Sequence, residues 1–105
     1  QQPSPRIMAG LGKAARGKRR WVGIRISPPT DSRDSCEKVI AAPLGRIMWK
    51  MYDCRTDESG TLAIIRVSLE DCEEATTRLN NSQNISTLTR SGKIRLVRQR
   101  IGINH

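Results

Sequence analysis

Thr61 to Val67, TLAIIRV, is the most hydrophobic run of the chain and is rich in β-branched side chains. Such a run predicts a central strand, around which the other elements must arrange themselves. Arg46 to Asp53 reads as the strand before it. The acidic, glycine-terminated turn from Arg55 to Gly60 makes the two a hairpin with a longer loop. Arg20 to Ser27 alternates cleanly, with Val22, Ile24 and Ile26 on one face and Trp21, Gly23 and Arg25 on the other. That pattern predicts a strand with one buried side, ended by Ser27-Pro28-Pro29.

Two helices fit between the strands. Asp31 to Ala42 carries Cys36, Val39 and Ile40 on one face. Asp34 or Ser32 can cap it, Glu37 completes a capping box with Asp34, Pro43 stops it and Gly45 releases the chain. Ser68 caps the second helix, whose first turns hold Glu70, Asp71, Glu73 and Glu74 and whose buried stripe is Leu69, Cys72, Ala75, Thr76 and Leu79. Four carboxylates together could suggest a metal site, but complementation of the helix dipole explains them without a His or Cys partner. Asn80-Asn81-Ser82 ends the helix, and Asn84 to Arg90 forms the fourth strand. The order is βαββαβ. Two helices crossing between four antiparallel strands cover one face of the sheet, which predicts an α+β, ferredoxin-like sandwich with its second face open.

Charge geography points to a polyanionic partner. A 105-residue chain makes one domain plus a tail, and it buries roughly two thirds of its unfolded surface, enough for one modest core and no deep cleft. Residues 1–22 carry six cations and no acid, residues 23–89 eight cations and ten acids, and residues 90–105 five cations and no acid. The body is nearly neutral and both ends are strongly basic, which suits nucleic acid better than an excess serving solubility alone. Residues 1–19 mix Gly, Pro and Lys/Arg without a stable period and read as a disordered basic tail; residues 20–105 read as the RNA-binding domain. Gln1 in place of a starting Met is expected of part of a longer gene product.

The most pointed stretch is Ser86 to Ile101, STLTRSGKIRLVRQRI. Two conformations compete for Lys93 to Ile101. As a helix it lines Ile94, Val97 and Ile101 on one side; as a strand it would put Val97 beside Arg95 and Gln99. The helix separates apolar from charged residues better and is the expected form. Ser91 and Gly92 let the backbone approach a phosphate closely, with cations directly after them. The candidate RNA-binding residues are Arg90, Ser91, Gly92, Lys93, Arg95, Arg98 and Arg100, together with Lys18, Arg19 and Arg20 before the first strand. The chain has no Phe, and Trp21, Trp49 and Tyr52 do not form an RNP-like motif, so shape and backbone recognition of folded RNA is expected over base stacking.

Catalysis by the protein itself finds no support in the residues. His105 is the single His and the terminal residue. No Cys sits beside a candidate base. The acyl-phosphatases of this sandwich need a Gly-rich anion loop, which Trp21 to Ser27 does not provide before Pro28. Cys36, Cys54 and Cys72 form no CxxC pair and read as buried thiols of a reducing compartment, with no metal site. No apolar run approaches the ~20 residues of a membrane span, and no secretory signal is visible, so the two Asn-x-Ser spellings carry no glycosylation.

Three pieces of the chain, spanning about residues 19 to 101 in matching order, resemble the Pop-five protein subunit of ribonuclease P and RNase MRP. STLTRSGKIRLVRQRI resembles its fourth strand and following basic helix, RRWVGIRIS its opening strand, and ESGTLAIIRVSLEDCEEA its acidic turn, central strand and second helix. Against the family pattern the first helix is short and the link into the fourth strand is trimmed. The related fourteen-kilodalton subunit shares the sandwich but lacks so basic an end. The resemblance implies a non-catalytic subunit that supports a large catalytic RNA in 5′ maturation of precursor tRNA. It also implies Mg2+ held on the RNA and no cofactor on the protein, a barrel-shaped thirty-kilodalton-class partner subunit among other RNase P proteins, and a nuclear or nucleolar location (cytoplasmic in an archaeon). On the family pattern Ser91, Gly92, Lys93, Ile94, Arg95 and Arg98 lie nearest the RNA. A ribosomal protein of the same architecture, binding ribosomal RNA, is the alternative.

Overall fold

Ile64 and Ile65, neighbours in the hydrophobic run, point to opposite sides of a sheet, and both are fully buried. In the computed structural model, which describes residues 18–103, they lie in a strand with packed side chains above and below it. The elements run β1 (Arg19–Ile26), α1 (Arg33–Leu44), β2 (Trp49–Asp57), β3 (Gly60–Ser68), α2 (Cys72–Asn80), β4 (Ile85–Ser91) and α3 (Ile94–Ile101). The four strands form one antiparallel sheet in the order β2-β3-β1-β4. β3 is central, as its composition predicts. This α+β arrangement is compatible with the expected ferredoxin-like sandwich.

On one face α1 and α2 close the main core. Val22, Ile24 and Ile26 of β1 and Ala63, Ile65 and Val67 of β3 pack against Cys36, Ile40 and Leu44 of α1 and Cys72, Ala75 and Leu79 of α2. Ser32 caps α1, its side chain accepting from the Ser35 amide at 3.2 Å, so the capping box of Asp34 with Glu37 does not form. Pro43 lies inside the last turn and does not stop the helix before it. Leu44, one residue on, is fully buried and holds that turn in place. Gly45 then ends α1 at φ 58°. Ser68 caps a turn, not α2 itself: its hydroxyl accepts from the Asp71 amide at 3.2 Å, and the helix begins at Cys72.

The hairpin is tighter than expected. β2 runs on to Asp57, which pairs with Gly60, and the Asp57 carboxylate takes both the amide and the hydroxyl of Ser59 (2.8 and 2.7 Å). Those two hydrogen bonds hold the Asp57 carboxyl below its usual range. A β-bulge between Met51 and Asp53, and another opposite Gly23/Ile24, re-aim the residues that follow them.

The second face corrects the expectation of an open surface. α3 folds back across it, burying Val97, with Ile103 beyond its end, against Ile64; Trp21, Leu62, Ile94 and Ile101 border the cluster. Gly23 makes room for this packing. A Cβ there would lie 3.0 Å from Val97 Cγ1 and 3.1 Å from Ile101 Cγ2. Glycine within a strand marks such a close approach. Gly23→Val should therefore lift α3 and cost about 1–3 kcal/mol. Urea unfolding measures the loss, and an unchanged midpoint would mean that α3 does not rest on β1.

Candidate nucleic-acid interface

α3 is entered from β4 through Ser91-Gly92-Lys93. The Ser91 hydroxyl accepts from the Lys93 amide at 3.2 Å, and Lys93 stands at the N-cap in extended geometry. A Cβ at Gly92 would come within 3.1 Å of Arg20 Nη1, so Arg20 lies beside this corner. Ile94, Val97 and Ile101 turn to the sheet, as the helical reading predicts. Gly102, at φ 82°, ends the helix.

The candidate cations do not act as one group. Lys93 and Arg95 are exposed and make no side-chain hydrogen bond or ion pair to the described residues. Arg100 reaches back to β4, donating to Thr89 Oγ1 at 3.1 Å and to the Arg90 carbonyl at 3.3 Å. Arg98 is a docking residue. Its guanidinium donates to both carboxylate oxygens of Asp53, at 2.6 and 3.3 Å, and Asp53 is only 8 % exposed. The hydrogen bond and charge of Asp53 hold the Arg98 guanidinium above its usual value. Arg90 faces away from α3. The β4 bulge turns it toward α2, where it pairs with Glu73 at 2.6 Å.

The basic tail lies outside the described residues except at its end. Arg19 is the first residue of β1, one position earlier than expected, and the Lys18 carbonyl accepts from the Leu69 amide at 3.2 Å. Lys18 and Arg19 are thus part of the folded domain.

Strand register adds cations that the linear sequence does not group. Arg19 and Arg25 of β1, Lys50 and Arg55 of β2 and Arg66 of β3 share the face that α3 crosses. Counted with Lys93, Arg95, Arg98 and Arg100, that side carries nine cations against Asp53 and Asp57. The opposite side is mixed in sign, for Arg33 and Lys38 of α1, Arg78 of α2 and Arg90, turned toward α2, stand among most of the acids. Asp31, Asp34, Glu37, Glu70, Asp71, Glu73 and Glu74, seven of the ten acids, belong to α1, α2 and the turns that lead into them. The charge is therefore uneven, strongly basic on the side crossed by α3 and close to balanced on the other. A basic surface of this kind can neutralise phosphates over its breadth.

The thiols take no part in it. Cys36 and Cys72 are buried and Cys54 is half-buried, all three free. Burial, with the neighbouring Cys54 second, pushes the Cys36 thiol up to about 12. Among the described residues no group of three His, Cys, Asp or Glu side chains could hold a metal ion, and no helix is long and apolar enough to cross a membrane.

Comparison with protein-family models, curated proteins and solved structures finds no match for the chain.

Asp53→Asn should weaken the hold on Arg98 and cost about 1–3 kcal/mol, because a charge-assisted pair at a nearly buried carboxylate is lost. Hydrogen exchange at the amides of Val97 to Ile101 reads this directly, and unchanged protection would assign the docking of α3 to its apolar face alone. Cys36, held as a thiol, should resist alkylation at pH 8 until the chain unfolds. Rapid labelling of the native chain at Cys36 would contradict the packing of α1.

Proposed function

We propose that this chain is a ferredoxin-like, RNA-binding, non-catalytic subunit of a ribonuclease P or RNase MRP particle, and that it meets its RNA with the face crossed by α3. The observation that supports this best is the excess of cations on that one side. The side crossed by α3 carries nine cations against two acids, while the acids of the other side are interspersed with Arg33, Lys38, Arg78 and Arg90. Phosphates neutralised by Lys and Arg give affinity for RNA without demanding an acid, a base or a nucleophile from the protein. Chemistry at the precursor tRNA then belongs to the RNA and its Mg2+, and the protein supplies positioning and charge. The likeness of the Ser86–Ile101 stretch to the Pop-five strand and basic helix carries the choice of particle, with the barrel-shaped thirty-kilodalton-class subunit as protein partner and the nucleus as location.

Within that reading the labour is divided among the arginines. Arg98 holds α3 in place, while Lys93 and Arg95, free of other described partners, reach for phosphate. Co-purification with precursor-tRNA cleavage activity supports the assignment. Co-sedimentation with ribosomal subunits would move the chain to the ribosome.

RNA affinity should fall steeply with salt, with a log–log slope of about −4 to −5 for five or six engaged phosphates. Arg95→Ala should reduce the slope's magnitude by about 1 without changing thermal stability, whereas Lys38→Ala on α1 should do nothing to either. Filter binding at several salt concentrations decides this; equal effects of the two substitutions would mean that the basic side is not the RNA side.

A further inference from the structure

The face crossed by α3 is left uncovered toward the start of β2, and there the sheet carries an aromatic pair with cations around it. Trp21 of β1 and Tyr52 of β2 meet edge-on, with ring centroids 6.2 Å apart and planes at 75°. Lys50 Nζ lies 5.6 Å from the centre of the Tyr52 ring and the Arg66 guanidinium 5.4 Å from it. Arg66 also donates to the Tyr52 hydroxyl at 2.7 Å. Lys50 and Arg66 are direct cross-strand partners, a juxtaposition of like charges that ordinarily destabilises a sheet. The bulge at Tyr52 sets an aromatic ring close to both cations, and the π-face softens their repulsion. A groove of about 330 Å³ adjoins the cluster, lined by Arg19, Lys50 and Arg66 together with Glu70 and Asp71.

Resting on the RNA reading above, we infer that this cluster is a subsite for one unpaired nucleotide, whose base stacks on Tyr52 beside Trp21 and whose phosphate is held by Lys50 and Arg66. A base on the ring displaces one of the two cations from over it, and that cation turns to the flanking phosphate in the groove. The exchange is favourable because stacking of a base on an aromatic ring outweighs the cation–π contact of the exposed Lys50, and a phosphate removes the unfavourable Lys50–Arg66 pairing. Any base has a π-face, so the subsite selects unpaired over paired nucleotides and does not read sequence. The Trp21 indole N–H is buried and has no acceptor among the described residues. Packing alone therefore holds the ring, and its emission should respond to a base placed against Tyr52.

The test uses the full chain carrying Trp49→Phe, which leaves Trp21 as the single tryptophan. Two probes are titrated: oligouridylate of about ten nucleotides and a blunt RNA duplex of the same length. Oligouridylate should change Trp21 emission and the duplex should not. Tyr52→Leu, which keeps apolar bulk but removes the π-face, should weaken oligouridylate binding about fivefold to a hundredfold and leave duplex binding within about twofold. Tyr52→Phe should bind both probes like the parent, which separates the ring from its hydroxyl contact with Arg66. An oligouridylate affinity that Tyr52→Leu leaves unchanged, or equal losses for both probes, overturns the subsite while the RNA reading stands. Failure to bind either probe removes the RNA reading, and the subsite with it.

Discussion

Everything proposed for the basic side depends on the contact of Ile64 with the underside of α3. An isolated helix of eight residues does not hold in water, and the arginines at positions 95, 98 and 100 repel one another along it. What stabilises α3 is burial. Full burial of a Val or Ile side chain contributes about 1.5–3 kcal/mol, and Val97 and Ile103 are both buried in the second cluster. Gly23 lets the helix approach closely enough for that burial, and the Arg98–Asp53 pair fixes where it lies. The same packing that hides Val97 holds Lys93 and Arg95 on the outside.

A small sandwich with two helices on one face would otherwise leave an apolar strip of β3 and β1 exposed. Covering it with a short basic helix converts that strip into a charged surface. Most of the acids lie on the other side, where Glu73 and Glu74 complement the start of α2 and pair with Arg90 and Arg78. Among the described residues the excess of cations is thus uneven, concentrated on the face that α3 crosses.

Much of the fold is legible in the sequence because periodicity reports directly on burial. The 94/97/101 spacing shows the apolar stripe of α3, and the alternation of 22, 24 and 26 shows the buried side of β1. Neither says what the stripe packs against. Gly23 was the available signal for that, since glycine in an otherwise regular strand marks a close approach of another segment. Element ends were less legible. Pro43 stays inside α1 because Leu44 is buried beyond it, a tertiary effect that local rules do not contain. The site was least legible of all. Asp53 and Arg98 are 45 residues apart, and Tyr52 and Trp21 meet only because a bulge shifts the register of β2. A second bulge sends Arg90 to α2, although the sequence sets it among the cations that follow it.

The central claim is that the side crossed by α3 is the side that meets RNA. Ultraviolet cross-linking of the native particle, with the cross-linked peptides and their RNA identified, tests it most directly. Adducts should fall on Lys93 to Arg100 and on the β2 and β3 residues around Lys50 and Arg66, joined to one structured RNA. Adducts confined to α1 and α2, or a basic side found pressed against another protein, would contradict the account.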